Sequence, residues 1–593
     1  MRLESWAMML ALVSLAGCRN SRRDTGPPAV SSVSPQHHAQ EEWFTDHAAD
    51  AGLNFAHFNG MSGELYYSEI MAPGVALLDY DNDGDLDVFL VQGQMLGPGK
   101  HASQALLPPQ GPLPLEGRLY RNDLEVHSDS TRTLRFTDVT EASRIQARDY
   151  GMGVATGDFN NDGCTDLFLT NLGPNQLLRN NCDGTFADVS EGLGKAPAAS
   201  SWSVSAAFLD FDRDGWLDLF VGHYVHYSVD ANIRCFLQSG GPNYCPPQVY
   251  RAQPSTLYHN NRDGSFTDVT AAAGMATDFG PTLGVSTADF NGDGWIDIYV
   301  ANDGQPNQLW INQRDATFKN TGLLSGTAIG GEGKAKSSMG VDAGDFDNDG
   351  DEDLIVTTLT GQGSDVYVNN GAGVFEEQSA RTGIRAPSLP YTGFGVGWLD
   401  FDNDGWLDLL TVNGTVSRDP QRPKELFSLQ QRKQLFRSLG NARFEDVTGQ
   451  AGAVFQRSEV GRGAAFGDLD NDGDTDVIVA NDAGPVRLLI NNLGNHNHWV
   501  GLRLASPAAR PSIRSGRDLI GARAGIARRD GSTLWRRARS DGSYASANDP
   551  RVLVGLGHSA QAPTVKVIWP SGRIEEFANV AIDRYTTLHE GSR

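Results

Sequence analysis

One nine-residue pattern, written seven times, constrains this chain more than any other feature. DYDNDGDLD (79–87), DFNNDGCTD (158–166), DFDRDGWLD (210–218), DFNGDGWID (289–297), DFDNDGDED (345–353), DFDNDGWLD (400–408) and DLDNDGDTD (468–476) all fit D-x-[DN]-x-D-G-x-x-D. Their starts lie 79, 52, 79, 56, 55 and 68 residues apart, so the basic unit is a little over fifty residues. A chain of 593 residues is too long for one hydrophobic core, and an internal repeat is the economical way to fill it.

The loop has a direct chemistry. Positions 1, 3 and 5 turn carboxylates, or an Asn amide oxygen, toward one centre; position 7 offers its backbone carbonyl and position 9 another carboxylate. The glycine at position 6 permits the sharp bend. Hard oxygen donors in that number suit Ca²⁺ rather than zinc or copper. Without a cation the acids would repel one another. Asx turns also favour Asn, Asp and Gly, but a turn needs no acid at position 9, and all seven copies have one. The loop is not an EF-hand, because position 12 is Leu90, Leu169, Val221, Val300, Val356, Thr411 or Val479 and never Glu.

The flanks read as strands. Short apolar runs such as VFLV, LFLT, IYVA and VIVA follow the loops, and small-residue runs such as GVALLD and GVATGD precede them. A third run recurs as GRLYRND, NQLLRNN, STLYHNN, NQLWINQ, SDVYVNN, KQLFRSL and VRLLINN, and a fourth in six copies from RFTDVT (135–140) to RFEDVT (443–448). Four short strands per unit make an antiparallel propeller blade, an all-β fold. The last unit lacks its fourth strand, and the missing block stands at the other end as WFTDHAADAG (43–52). Pairing of 43–46 with 486–490 is expected to close the ring and remove its exposed edges.

These repeats resemble FG-GAP/VCBS repeats, as in the propeller of integrin α subunits. Residues 496–590 resemble an ASPIC/UnbV domain in HWVGLRL (498–504), LIGARAGI (519–526), DGSYAS (541–546), LVGLGH (553–558) and VIWPSG (568–573). Together they resemble the cartilage acidic protein family and its bacterial relatives. The resemblance implies a seven-bladed β-propeller over 43–495 followed by a small β-rich domain over 496–593.

Carried over by position, the resemblance implies up to seven Ca²⁺ sites. Their direct ligands are Asp79, Asp81, Asp83 and Asp87 in the first, and Asp158, Asn160, Asp162 and Asp166 in the second. Asp210, Asp212, Asp214 and Asp218 follow, then Asp289, Asn291, Asp293 and Asp297, and Asp345, Asp347, Asp349 and Asp353. Asp400, Asp402, Asp404 and Asp408 form the sixth set, and Asp468, Asp470, Asp472 and Asp476 the seventh. Asn160 and Asn291 remove one negative charge each, so weaker binding is expected there. Asp85, Asp351, Glu352 and Asp474 are expected to tune local charge.

The N-terminus reads as an address. Residues 1–18 hold an apolar run too short to span a bilayer and end in Leu15-Ala16-Gly17-Cys18, which looks like a bacterial lipobox with Cys18 as the lipidated residue. Residues 19–42, rich in Pro, Ser, His and Gln, read as a flexible tether. The expected location is exported and lipid-anchored, at the outer membrane or cell surface, since Arg19 is not the Asp that marks inner-membrane retention. Export also favours disulfides, Cys164–Cys182 within blade two and Cys235–Cys245 in the blade-three insertion.

The net charge of −25 argues against nucleic-acid partners. Residues 496–593 depart from it, with 15 Lys+Arg against 8 Asp+Glu. Arg528, Arg529, Arg536, Arg537 and Arg539 cluster there, to dock on the acidic propeller, to hold an anionic polymer or simply to form a solvated strand face. Insertions at about 92–117, 223–255 and 413–432 are expected on the face opposite the loops. In the second of these, His223, Tyr224, His226, Tyr227, Tyr244 and Tyr250 either pack the insertion or line a sugar or peptide site. There is no HEXXH, G-x-S-x-G, Walker loop or dinucleotide fingerprint. The expected role is a non-catalytic binding or scaffold module for protein or glycan at the insertion-bearing face, touching membrane only through its lipid anchor. The alternative is a calcium-dependent polysaccharide-degrading enzyme, lyase or hydrolase.

Overall fold

Apolar runs buried on both faces, each bounded by a polar turn, dictate short antiparallel strands, and the chain is built almost wholly from them. The computed structural model describes residues 42–129, 131–194, 201–238, 240–417, 429–507 and 516–593. The signal segment, Cys18 and residues 19–41 of the tether lie outside the described residues.

Seven four-stranded antiparallel sheets form between residues 44 and 491, among the described residues. Their innermost strands are Val75–Leu78, Gly151–Gly157, Ser203–Leu209, Thr282–Ala288, Ser338–Gly344, Gly393–Leu399 and Gly461–Gly467. Each packs beside the next, and the seventh packs beside the first, so the sheets stand as blades around one axis. The outer strand of the seventh blade is Phe44–Asp46, registered Phe44↔Asn491, Thr45↔Ile490 and Asp46↔Leu489. That N-terminal pairing closes the ring. Apolar clusters fill the spaces between neighbouring blades.

A buried Asn at the end of the third strand staples blade to blade. The Nδ2 of Asn180 donates to the Tyr80 carbonyl of the preceding blade at 2.7 Å, Asn260 to Phe159 at 2.7 Å, and Asn312 to Phe211 at 2.8 Å. Asn369, Asn491 and Asn122 repeat the bond to Phe290, Phe401 and Leu469, each at 2.8 Å. Blade six has Ser438 at this place.

The C-terminal part forms two further sheets around a core that includes Val500, Leu502, Ile526, Val567 and Trp569. One joins Val552–Gly557, His498–Ala505 and Tyr585–His589; the other joins Thr533–Arg537, Arg523–Ala527, Val565–Ile568 and Ile574–Phe577. Residues 540–549 leave this domain and fill the propeller bore, where their polar groups reach all seven inner strands. Val75 and Leu77 bond Ala547, Val154 and Ser205 bond Ala545, and Thr287 bonds Asp541. Val341 and Val396 bond Ser543, and Phe466 bonds Asn548 and Asp549. Glycine in the inner strands makes room, since a Cβ on Gly153 would lie 2.7 Å from the Ala545 carbonyl oxygen. At the tip, buried Tyr544 donates to the Met71 carbonyl at 2.7 Å and meets Phe394 edge-on at 4.8 Å.

Candidate metal centres

Each acidic loop joins the first and second strands of its blade. Two left-handed residues shape it. The glycine at position 6 has φ between +84° and +102° in every copy. Position 4 is also left-handed, as Asn82, Asn161, Arg213, Gly292, Asn348, Asn403 and Asn471, at φ +52° to +69°. Asn tolerates that conformation best among residues with a Cβ, which accounts for its recurrence.

The same hydrogen bonds recur around the ring. Asp400 at position 1 accepts the N–H of Asp404 at 3.0 Å on one oxygen and that of Gly405 at 2.9 Å on the other. Asp404 at position 5 accepts the N–H of Trp406 at 2.8 Å. Asp408 at position 9 accepts the N–H of Phe401 at 3.1 Å and of Ser438 at 2.7 Å. The acid at position 9 therefore has a structural duty besides any cation: it pins the loop to the third strand. Its presence in all seven copies is explained in part by that duty, which the sequence argument did not foresee.

In the first, third and fifth loops the fold draws positions 1, 3 and 9 together, and in the third it also brings Asp214 at position 5 to Asp212 and His259. Carboxylate oxygens of Asp79, Asp81 and Asp87 lie within 4.8 Å of one another, as do those of Asp210, Asp212 and Asp218, and those of Asp345, Asp347 and Asp353. Position 5 is more often held sideways. Asp214 pairs with Arg262 at 2.6 Å, Asp293 with Arg314 at 2.9 Å, and Asp472 accepts the Asn495 amide at 2.5 Å. Arg262 and Arg314 stand where blade two has Cys182, whose disulfide to Cys164 is formed, with Cα atoms 5.7 Å apart. Cys235 and Cys245 are also joined.

Burial makes these acids resist ionisation. It lifts Asp79 to about 7, Asp345 to about 7, Asp400 to about 8, Asp297 to about 8 and Asp218 to about 9. Near neutral pH such clusters hold protons or a cation. The donor set fits a hard cation: oxygens on a Gly-bent loop, several of them buried without a hydrogen-bond partner. The unpartnered oxygens are Asp345 Oδ1, Asp347 Oδ1, Asp353 Oδ2, Asp402 Oδ1 and Asp474 Oδ1.

A third-strand residue sets how much charge is left over. His259 lies 3.4 Å from Asp212 and 3.2 Å from Asp218, and Arg437 lies 2.6 Å from Asp402. The same place holds Val368 in blade five and Ile490 in blade seven, which neutralise nothing. The residue just before the Asn of YHNN, YVNN and LINN, and before the Ser of FRSL, was the available sequence signal. Of the extra acids, Asp474 is buried and accepts the Asn495 N–H at 3.0 Å, and Glu352 is buried 3.7 Å from Arg523, so neither is a surface charge.

The C-terminal domain covers the loops. Arg536 donates to the carbonyls of Asp345 at 3.3 Å and Gly405 at 3.1 Å, Arg551 to that of Asp468 at 2.8 Å, and Tyr585 to Asp468 Oδ2 at 3.0 Å. The loops also hold one another, through the position-4 side chain and the position-6 carbonyl of the next loop. Asn82 reaches Gly163 at 3.2 Å, Asn161 Gly215 at 2.9 Å, Asn348 Gly405 at 3.1 Å, Asn403 Gly473 at 2.8 Å and Asn471 Gly84 at 3.4 Å, and Arg213 reaches Gly294. Gly292 has no side chain to reach Gly350, and Arg523 of the C-terminal domain supplies the donor there instead.

On the opposite face the aromatic residues pack. Tyr224 and Tyr227 are buried against Trp202 at 5.0 and 5.2 Å, and Tyr67 stacks on Tyr250 at 5.7 Å. His223 is buried between Ser203 and Thr256, which holds its pKa down near 4, whereas His226 is exposed. No helix among the described residues is long and apolar enough to cross a membrane.

Comparison with known proteins agrees with this architecture. The family described as FG-GAP-like repeat matches residues 158–221, 249–300, 289–356 and 346–411, and that described as ASPIC and UnbV matches 512–593. Cartilage acidic protein 1 of Mus musculus is 23% identical over 519 residues, covering 84% of this chain and 71% of that protein. The Homo sapiens protein of that name is 22% identical over 520 residues, covering 84% and 69%. A solved structure describing recognition of non-reducing terminal N-acetylglucosamine by an Agrocybe aegerita protein aligns at TM-score 0.31 and 17% identity, over 58% of this chain and 83% of that one, a likeness too slight to bear on function. This chain is an FG-GAP-repeat protein that ends in an ASPIC and UnbV domain, similar along most of its length to cartilage acidic protein 1.

Proposed function

We propose that the chain is an exported, calcium-loaded propeller serving as a non-catalytic binding or scaffold module for protein or glycan at the cell envelope. The observation that carries this reading is the convergence of three carboxylates in each of the first, third and fifth loops, where burial lifts Asp79 and Asp345 to about 7. Calcium would fix seven loops on one face, and the 540–549 segment fixes the bore, which leaves a rigid body with surfaces to offer. The two disulfides support an extracellular setting. Anchoring through Cys18 belongs to this reading as well. The polysaccharide-degrading alternative relied on the insertion face, where Tyr224, Tyr227 and Tyr244 are buried in packing.

The test incubates the soluble mature protein, with calcium, against neutral and acidic polysaccharides and following both retention and chain length. Retention of a polymer at unchanged length is expected. Shortening of any polymer overturns the non-catalytic assignment.

A further inference from the structure

The five arginines of the C-terminal cluster divide into two groups. Arg536, Arg537 and Arg539 are spent on the propeller: Arg536 on loop carbonyls, Arg537 on the Thr287 carbonyl, and Arg539 on Asp342 at 2.7 Å. Arg528 and Arg529 line a cleft of about 430 Å³ with Gln561, Thr564 and Asn579, and Arg528 stands at its propeller end, its Nη1 3.6 Å from where a Cβ on Gly405 would lie. No hydrogen bond or ion pair among the described residues engages the Arg528 guanidinium or the Asn579 amide. Arg529 gives its Nε to Gln561 Oε1, which leaves its two Nη groups and the Gln561 NH₂ free. The acid in the wall, Asp530, is folded back on its own turn, where it accepts the N–H and hydroxyl of Ser532 at 2.9 and 2.6 Å.

We infer that this cleft binds an anionic sugar. Two guanidiniums take its carboxylate or sulfate, since planar forked donors match those groups. The Gln561 and Asn579 amides and the Thr564 hydroxyl take ring hydroxyls. That mixture of amides and a hydroxyl beside the guanidiniums suits a polyol. The volume accommodates a small ligand or the end of a polymer. This rests on the binding-module reading and names its ligand class.

Titration of the full soluble chain with a hexamer of galacturonic acid, a sulfated hexasaccharide, a neutral chitin hexamer and hexaglutamate tests it. Binding of one anionic sugar is expected. That binding weakens at least about tenfold in Arg528→Ala/Arg529→Ala at unchanged melting temperature, and less in Arg528→Lys/Arg529→Lys. Equal binding of the chitin hexamer or hexaglutamate, no binding of either anionic sugar, or no loss in the Ala pair overturns the inference. A chain that ignores both anionic sugars yet retains a neutral glycan or a protein loses this site and keeps the binding-module reading. Chain shortening does the reverse.

Discussion

The charge on each loop is settled by single residues. Where Arg437 leans on the acid at position 3, part of the repulsion is already neutralised; where Val368 or Ile490 stands, the third strand neutralises none of it. Asn160 and Asn291 lower the demand in another way, by removing a charge. Loops five and seven are therefore expected to hold calcium most tightly, and two and four to release it first. Stepwise chelation with metal counting checks this: Asp347→Asn and Asp470→Asn should each remove one of the last ions to leave. Glu69 makes a separate residue-scale case. It is buried beside Tyr244, whose hydroxyl donates to it at 3.0 Å, and burial lifts its carboxyl from 4.5 to about 8. The fold favours the protonated acid, so its contribution is present in full below pH 4.5, declines as pH rises and is gone above about 8. Denaturant unfolding should show stability falling by up to about 1.4 kcal/mol per pH unit across that window, and Glu69→Gln should flatten the slope.

At the scale of elements, the blades are joined by repeated polar staples as well as by apolar packing. The third-strand Asn is the chief one. Asn260 makes two carbonyl bonds, to Phe159 and Leu217, and accepts the Arg262 N–H at 2.9 Å. Its replacement by Ala should cost about 2 kcal/mol, because buried carbonyls lose their donor. Ser438 mimics only the last contact, through the Gly440 N–H at 3.3 Å. Ser438→Asn should restore the missing staple of blade six and add about 1 kcal/mol, read from the denaturation midpoint. The Asn pair was visible in NQLLRNN and STLYHNN as a strand ending in a polar turn, but its reach into the preceding blade was not, because that partner lies about a hundred residues away. The acidic loops were legible because their ligands are local. The second duty of position 9 was hidden for the same reason as the staple: it runs to another strand.

For the whole molecule, ring closure could be read because a block absent at one end stood at the other. The filling of the bore could not. DGSYASANDP has neither strand period nor apolar run, and its contacts are backbone and side-chain bonds to seven strands spread over some four hundred residues. Ser543 and Ala545 there are left-handed, at φ +62° and +52°, a conformation the surrounding inner strands hold in place. The basic C-terminal domain was legible as a partner for the acidic propeller, though which arginines would face inward was not. The result is one body in which the domain that covers the loops also threads the bore. Calcium is the central claim of the account, and metal analysis of the purified full chain, before and after chelation, tests it most directly. The account predicts several calcium ions per chain, up to seven, and a large fall in melting temperature on their removal. A metal count near zero in a folded, stable protein would contradict it.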